Sequence, residues 1–255
     1  MNVVGVIGVG MIGGSIALRA RRNGARVLGF DADARACERA VRCGAIDAIA
    51  SFDEVVREST TVVVAAHVEP TLALLRQLRE HGPRAQLILD VGSIKAPVVE
   101  AARGLRAFVA THPMAGSERS GVDAARADLF DGRTWAYVSS GDDALDARAR
   151  DFIASMGALA VPVDAVEHDR IVARTSHLPQ IVGWCFARSL EQRTETIDAL
   201  CGPVARELLR VGRSETTMWR DILRGNAVNV ERELRELARA LEREADELHA
   251  SGACG

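Results

Sequence analysis

The sequence predicts an α/β fold, with a doubly wound sheet over residues 1–164 followed by an all-helical domain over residues 165–255. In the first half, short apolar runs alternate with amphipathic segments, as strands and helices do in such folds. These runs are continuously apolar, which is typical of parallel strands that are buried on both faces. After Asp164 the β-rich runs end, and the remaining segments have helical spacing.

The apolar runs of the first half are predicted to form one mostly parallel sheet. The predicted strands are Val3–Ile7, Arg26–Phe30, Val62–Ala66, Leu87–Leu89, Ala107–Ala110, Trp135–Val138 and Leu159–Val163. The predicted helices between them are Met11–Asn23, Ala34–Cys43, Pro70–His81, Ile94–Ala102 and Leu145–Met156. The first three helices end at glycines (Gly24, Gly44 and Gly82), which commonly follow the last helical residue.

The second half is predicted to be helical throughout. Ile171–Leu190 indicates one long helix with a kink at Pro179. The charged segment Asn226–His249 carries apolar residues at steps of three and four, namely Val230, Leu234, Leu237, Leu241 and Leu248. Such a stripe packs either within the chain or against a second copy, and we expect a homodimer through the helical domain.

Composition excludes several classes of protein. The chain has 255 residues, a net charge of −3 and a hydrophobic fraction of 48%, which predicts an ordinary globular protein without a nucleic-acid or membrane surface. Its apolar runs are shorter than the ~18 residues of a spanning helix, and glycines interrupt the N-terminus, so no signal peptide is expected. The five cysteines form no C-x-x-C pair. They predict reduced thiols in a cytoplasmic protein, without a metal site.

The segment Gly8-Val9-Gly10-Met11-Ile12-Gly13 has the spacing G-x-G-x-x-G between a predicted strand and helix. This arrangement predicts a Rossmann-type dinucleotide site, with the pyrophosphate at the helix N-terminus. Asp31 ends the second strand, where an acid accepts from ribose hydroxyls and repels a 2′-phosphate; NAD is therefore expected over NADP, although Arg35 lies nearby. The expected cofactor contacts are Gly8, Gly10, Met11, Ile12, Gly13, Asp31, Ala66 and Ser93. The alternative is a glycine-rich turn needed only for packing.

Polar residues follow two later strands, where ligands of parallel sheets bind. Ser93 and Lys95 follow Leu87–Leu89, and His112 follows Ala107–Ala110. Ser93 opens a predicted helix and has an alternative role as its N-cap. Lys95, expected one turn further on, is the only lysine of the chain, which suggests a site where guanidinium cannot replace ammonium. His112 suits proton transfer near neutral pH, and its alternative is a structural turn histidine.

Several longer motifs occur in a recognisable order. They are G-V-G-M-I-G-G-S, F-D-A-D, G-A-I-D, D-V-G-S-I-K, T-H-P-M-A-G-S-E-R-S-G, H-D-R-I-V-A-R-T-S-H-L-P-Q and M-W-R-D-I. Together they resemble the prephenate and arogenate dehydrogenases of tyrosine biosynthesis, from Met1 to about Leu223 and more loosely beyond. The block 111–121 and the S-H-L-P block are specific to that family, whereas the glycine motif is not.

The resemblance implies an NAD-dependent oxidative decarboxylation. Prephenate would give 4-hydroxyphenylpyruvate, or arogenate would give tyrosine, as hydride and CO₂ leave the ring together. His112 would hold the ring hydroxyl and take its proton, and Ser93 would bond to that hydroxyl or to the histidine. The resemblance also places Arg210 on a substrate carboxylate and Lys95 near the same pocket.

Further residues are assigned to substrate binding by the same resemblance. Glu118 would gate or polarise the site, with an ion pair to Arg119 as the alternative. Trp219 would shape the pocket or belong to the core, and His177 would either bind or pack. Gln180 departs from the second histidine that many members carry, which leaves the choice between a keto acid and an amino acid open.

Other functions remain open from the sequence alone. A relative acting on 4-amino-4-deoxyprephenate would share these motifs. β-Hydroxyacid dehydrogenases have a similar plan, but they usually carry a catalytic lysine on the helical domain, and this domain has none. A cofactor-sensing module without chemistry is the non-enzyme alternative, against which His112, Ser93 and Arg210 speak.

Overall fold

The computed structural model describes residues 2–116, 119–190, 195–214 and 216–252, with the backbone alone at 216 and 217. The chain forms two compact units, residues 1–168 and residues 169–255. The strands are β1 (Val3–Ile7), β2 (Arg26–Phe30), β3 (Ala48–Ile49), β4 (Thr61–Val64), β5 (Leu87–Asp90), β6 (Phe108–Val109), β7 (Thr111–Pro113), β8 (Thr134–Tyr137) and β9 (Leu159–Pro162).

The helices follow the predicted alternation and then fill the second unit. They are α1 (Met11–Arg22), α2 (Ala34–Arg42), α3 (Phe52–Glu58), α4 (Val68–His81), α5 (Ala96–Ala101), α6 (Asp143–Ser155), α7 (Ala165–Val172), α8 (Leu178–Ser189), α9 (Glu195–Leu200), α10 (Pro203–Val211), α11 (Thr216–Gly225) and α12 (Ala227–Gly252). None of the described helices combines the length and the hydropathy of a membrane-spanning segment.

The main sheet has six parallel strands in the order β3-β2-β1-β4-β5-β6. Alternate residues of each strand enter two separate cores: Val63 packs with apolar residues of α1, α2 and α6. Its neighbours Val62 and Val64 pack with residues of α3, α4 and α5. Helices therefore cover both faces, which confirms the predicted doubly wound sheet and explains its continuously apolar strands.

The prediction of one sheet is wrong for the last strands. β7, β8 and β9 form a separate sheet, in which β7 is antiparallel to β8 and β8 is parallel to β9. The chain leaves the main sheet at Ala110, whose carbonyl accepts from the Val138 amide at 2.9 Å. His112 therefore lies within a short strand, opposite Ala136, and not in a turn.

Two predictions for the segment after β5 are also wrong. α5 begins at Ala96 with Lys95 in the N-cap position, so Ser93 is not the N-cap and Lys95 does not lie one turn inside the helix. Pro97 explains this boundary, because a residue without an N–H is tolerated only in the first turn of a helix.

The prediction also missed β3 and α3, although Ser51 and Glu54 form a capping box at the start of α3.

The predicted long helix over Ile171–Leu190 is interrupted. Residues Ala173–His177 form a π-helical turn between α7 and α8. Pro179 follows as the second residue of α8. In a regular helix its ring would clash with the carbonyl four residues earlier, at Thr175, and the wider π turn accommodates the proline.

Candidate active site

The glycine-rich turn after β1 is shaped by close backbone contacts. Gly8 has φ +97°, and a Cβ there would collide with the carbonyl of Ala65. A Cβ at Gly13 would collide with the carbonyl of Gly8. At Gly10, by contrast, no described atom lies within 4 Å of a Cβ position. The first and third glycines are thus required by packing, while the middle one leaves an open surface at the N-terminus of α1, which fits a pyrophosphate.

Asp31 connects this turn to the end of β2. Its Oδ2 accepts from the Val9 amide at 2.9 Å, and its Oδ1 accepts from the Asp33 amide at 2.9 Å. A carboxylate has about four lone-pair sites, so two such bonds leave acceptor capacity for ribose hydroxyls. Met11, Ile12 and Ala66, which were also predicted to contact the cofactor, are half-buried around the same strand ends. These residues fit a bound dinucleotide.

A buried polar network joins the end of β5 to the start of β7. The Asp90 carboxylate accepts from the Gly92 amide at 2.8 Å, the Thr111 amide at 2.9 Å and Lys95 Nζ at 2.5 Å. Lys95 Nζ also donates to the Thr111 carbonyl at 2.5 Å, and the Thr111 hydroxyl donates to the Asp90 carbonyl. Asp90, Lys95 and Thr111 are all fully buried. This network fixes the backbone on either side of Ser93 and immediately before His112.

The burial of Lys95 limits what it contributes to substrate binding. Its side chain has 0% exposure, so it offers no surface for direct contact. The predicted contribution of Lys95 is thereby reduced to its electrostatic field and its effect on backbone position. Ser93 is half-buried on the segment between Asp90 and Lys95. Glu118, predicted to gate the site or to pair with Arg119, lies outside the described residues.

His112 contacts His168, the first residue of the motif H-D-R-I-V-A-R-T-S-H-L-P-Q, which was not predicted to be a site residue. His112 is half-buried, and its Nδ1 lies 2.9 Å from Nε2 of His168. The two rings meet edge to face, with centroids 5.1 Å apart and an interplanar angle of 70°. His168 is 3% exposed, on the first turn of α7. Its spacing, three residues after Ala165 and four before Val172, places it on the buried side of α7 and was the sequence signal that could have identified it.

In the helical unit, Arg210 is held by a neighbouring acid. Its Nε and Nη2 donate to the two carboxylate oxygens of Glu207 at 2.9 and 2.6 Å. These hydrogen bonds hold the pKa of the Glu207 carboxyl below its usual value. The Arg210 side chain is 53% exposed, so solvent reaches the guanidinium. The contact is the bidentate, side-on geometry in which arginine commonly binds a carboxylate.

The other predicted residues of this unit are more deeply placed. Gln180 is buried, and its Nε2 donates to the Val211 carbonyl at 2.9 Å, next to Arg210 in the chain. His177 is 1% exposed, and its ring lies edge-on to that of Trp219, with centroids 6.1 Å apart. Nδ1 of His177 lies 3.3 Å from Nδ2 of Asn226, which donates to the Asp169 carbonyl at 2.7 Å. The structure therefore brings His177 and Trp219 together.

The fold and the glycine-rich turn define a Rossmann-type nucleotide-binding protein with a helical second unit. Residues 16–161 match the family model described as "Prephenate dehydrogenase, nucleotide-binding domain". Residues 164–251 match the model described as "Prephenate dehydrogenase, dimerization domain". The chain belongs to the prephenate dehydrogenase family, which confirms the resemblance found in its motifs.

Two relatives illustrate the similarity in sequence. The chain is 36% identical over 238 residues to the prephenate dehydrogenase of Bacillus subtilis (strain 168), covering 86% of this chain and 62% of that protein. It is 35% identical over 250 residues to the probable prephenate dehydrogenase NovF of Streptomyces niveus, covering 94% of this chain and 67% of that protein. The chain thus spans 62–67% of the length of these relatives.

Solved structures of two related enzymes share the fold. Prephenate dehydrogenase from A. aeolicus, in complex with hydroxyphenyl propionate and NAD+, has a TM-score of 0.89 at 24% identity, covering 99% of this chain and 92% of that one. Synechocystis arogenate dehydrogenase has a TM-score of 0.82 at 24% identity, covering 98% of this chain and 92% of that one. The folds of both units therefore recur in these enzymes.

Proposed function

We propose that the protein catalyses the NAD-dependent oxidative decarboxylation of prephenate, arogenate or both. Membership of the family supports this, as do the names of the relatives from Bacillus subtilis and Synechocystis. The observation that carries the proposal is the placement of His112. Its ring is half-buried on a strand fixed by the Asp90 network, and one ring nitrogen is already engaged by His168. We assign the other ring nitrogen, Nε2, to the substrate hydroxyl as its base.

In the proposed reaction, His112 Nε2 accepts the proton of the ring hydroxyl. NAD, when bound, supplies the hydride acceptor for the hydrogen on the carbinol carbon. Loss of the ring carboxylate as CO₂ accompanies this oxidation, and aromatisation drives both. The phenolate oxygen that results takes the proton back from His112, so the enzyme ends in its starting state. Ser93 is proposed to bond to the same hydroxyl and to touch the nicotinamide side.

The proposal favours NAD over NADP because of Asp31. Its carboxylate is anchored by the Val9 and Asp33 amides at the end of β2, where it would face the adenosine ribose. A negative charge held in this position accepts from ribose hydroxyls and repels a 2′-phosphate. The expected result is a higher kcat/KM with NAD than with NADP; the opposite order would contradict this assignment.

We assign Arg210 to a carboxylate of the substrate. The guanidinium already presents Nε and Nη2 side by side to Glu207, and it is exposed enough for this partner to be exchanged. A bidentate arginine contact provides both charge and orientation. The substrate carboxylate would take the place of Glu207, which itself stays ionised in solvent.

We also propose a homodimer formed through the helical unit, as the description of the second family model suggests. The apolar stripe of α12 supports this, because its residues become more exposed towards the C-terminal end of the helix. Val230 is 5% exposed, whereas Leu241 and Leu248 are 60% and 72% exposed. Apolar residues that continue a core stripe into solvent are typical of surfaces covered by another chain.

A steady-state assay tests the proposed activity. Purified protein is mixed with NAD or NADP and with prephenate or arogenate, and the absorbance of the reduced nicotinamide is followed. The wild type should turn over at least one substrate, and His112→Asn should lower kcat by about 10²–10⁴-fold, as expected for a lost acid–base group. Arg210→Gln should raise KM for the acid while leaving KM for NAD unchanged.

A matched control comes from another histidine of the same unit. His81→Asn alters a half-exposed ring at the end of α4, beside Asp53, and should keep wild-type rates. NAD binding measured by calorimetry should be equal in wild type and His112→Asn. Turnover of His112→Asn within threefold of the wild type would remove the residue from catalysis, and a wild type inactive with both substrates would contradict the proposed activity.

A further inference from the structure

The contact between His112 and His168 has a chemical consequence beyond packing. We propose that His168 is a positioning residue, which accepts a hydrogen bond from Nδ1–H of His112 and so fixes the tautomer that carries its basic lone pair on Nε2. This inference rests on the proposed function for its kinetic effect. The tautomer itself can be measured without any turnover.

Nδ1 of His112 and Nε2 of His168 lie 2.9 Å apart, and between two neutral imidazoles either ring can be the hydrogen-bond donor, which allows two arrangements. In the first, His112 donates from Nδ1 and keeps a lone pair on Nε2. In the second, His168 donates from Nε2, and His112 then carries its proton on Nε2. Only the first arrangement can receive the proton of a substrate hydroxyl. Catalysis by His112 therefore requires His168 to be the acceptor, with its own proton on Nδ1.

Both histidines are held on fixed elements, so their contact is set in advance. His112 follows Thr111, whose amide, carbonyl and hydroxyl are all bonded in the Asp90 network. His168 lies in the first turn of α7, where its amide donates to the Asp164 carbonyl at 2.8 Å. The Asp164 carboxylate accepts from the amides of Val166 and Glu167 at 2.9 and 3.0 Å, capping the helix. Such anchoring on both sides keeps one ring geometry.

The chemical type of the acceptor also suits the proposed substrate. A carboxylate in the place of His168 would orient the imidazole as well, but it would add a negative charge beside a dianion. A neutral ring provides the acceptor without that repulsion. At 3% exposure, His168 also leaves little room for water to compete for Nδ1 of His112.

The tautomer is tested by long-range ¹H–¹⁵N NMR on protein labelled with ¹⁵N-histidine, at a pH where the rings are neutral. The chain has six histidines, and His112→Asn identifies the signals of His112 by their loss. The wild type should show His112 protonated on Nδ1. His168→Ala should move the population towards Nε2–H, whereas His168→Gln should restore Nδ1–H, because its amide oxygen can accept. His81→Ala serves as the control and should leave the His112 signals unchanged.

The kinetic arm uses the same variants. His168→Ala should lower kcat about 10–100-fold, with KM values and NAD affinity within twofold of the wild type, and His168→Gln should recover most of the loss. A wild-type His112 protonated on Nε2, or a tautomer unchanged in His168→Ala, would overturn the proposal. If the wild type is inactive with both substrates, the proposed function fails while the NMR result still decides the role of His168.

Discussion

The only lysine of the chain offers the sharpest test of how the site is built. Lys95→Met keeps the length of the side chain but removes an ammonium that bonds Asp90 and the Thr111 carbonyl, each at 2.5 Å. The Asp90 carboxylate keeps only the Gly92 and Thr111 amides among these donors, and it remains fully buried. The variant therefore leaves a buried charge without its counter-ion.

The expected cost follows from these contacts. Two hydrogen bonds that involve a charged group contribute about 1.5–3 kcal/mol each. Removal of one partner from a buried ion pair costs about 3–5 kcal/mol, which agrees with that sum. Methionine has a similar volume to lysine, so no large cavity is added. The free energy of unfolding of the first unit should fall by about 3–5 kcal/mol.

Urea denaturation followed by the fluorescence of Trp135 measures this change. Trp135 is fully buried in the first unit, and its ring centroid lies 4.9 Å from that of Phe130. Its fluorescence therefore reports unfolding of that unit. A background in which Trp184 and Trp219 are replaced by phenylalanine isolates its signal. Arg106→Met, which removes an exposed cation from the same unit, is the control and should change stability by less than about 0.5 kcal/mol.

A double-mutant cycle separates the ion pair from other effects of the substitution. Asp90→Asn combined with Lys95→Met removes both charges, so the double variant should lose less stability than the two single losses added together. A loss below about 1 kcal/mol for Lys95→Met, or strict additivity in the cycle, would refute the reasoning. Either result would mean that the ion pair does not hold β5 to β7.

Two further predictions concern other parts of the chain. Burial alone would raise the pKa of Asp146, but hydrogen bonds from Ser139 and Ser140 lower it below its usual value. Its stabilising contribution is therefore present above the ordinary aspartate range and is lost as pH falls through the lowered pKa. Asp146→Asn should cost about 1–3 kcal/mol at neutral pH, measured by urea denaturation, and the difference from the wild type should shrink in acid; a difference that grows in acid would contradict this. Leu241→Glu with Leu248→Glu should convert the proposed dimer to a species of 27.4 kDa in sedimentation equilibrium, and an unchanged dimer would place the interface elsewhere.

The sequence was most informative where one local pattern determines the structure. The glycine turn, Asp31 at the end of β2 and the two faces of the main sheet all follow from spacing within a single βαβ unit. The separate sheet formed by β7, β8 and β9 could not be inferred in that way. Its existence depends on which distant strand accepts β7, and an apolar run does not encode that choice.

Two structural features could not be read from the spacing of apolar and polar residues in the sequence. Proline at position 179 predicted a kink, but the resulting π turn reflects how the chain relieves the clash. His168 was visible within a motif, but its contact with His112, 56 residues earlier, is seen only in the folded chain. Exposed candidates such as Arg210 were chosen by resemblance, and the structure adds the bidentate contact with Glu207.

The surroundings of Lys95 explain why this position holds a lysine in a chain whose other basic residues of this kind are arginines. The Lys95 side chain, at the start of α5, is 0% exposed, and its ammonium lies against a carboxylate oxygen of Asp90 and the Thr111 carbonyl oxygen. An ammonium is compact and carries three donors, whereas guanidinium is planar and carries five, several of which would be buried here without acceptors. The guanidinium of Arg210, by contrast, is 53% exposed and donates to the exposed Glu207. We therefore propose that Lys95 acts on the chemistry through the backbone of Thr111, by fixing the strand on which His112 contacts His168 and, in the proposed reaction, would contact the substrate.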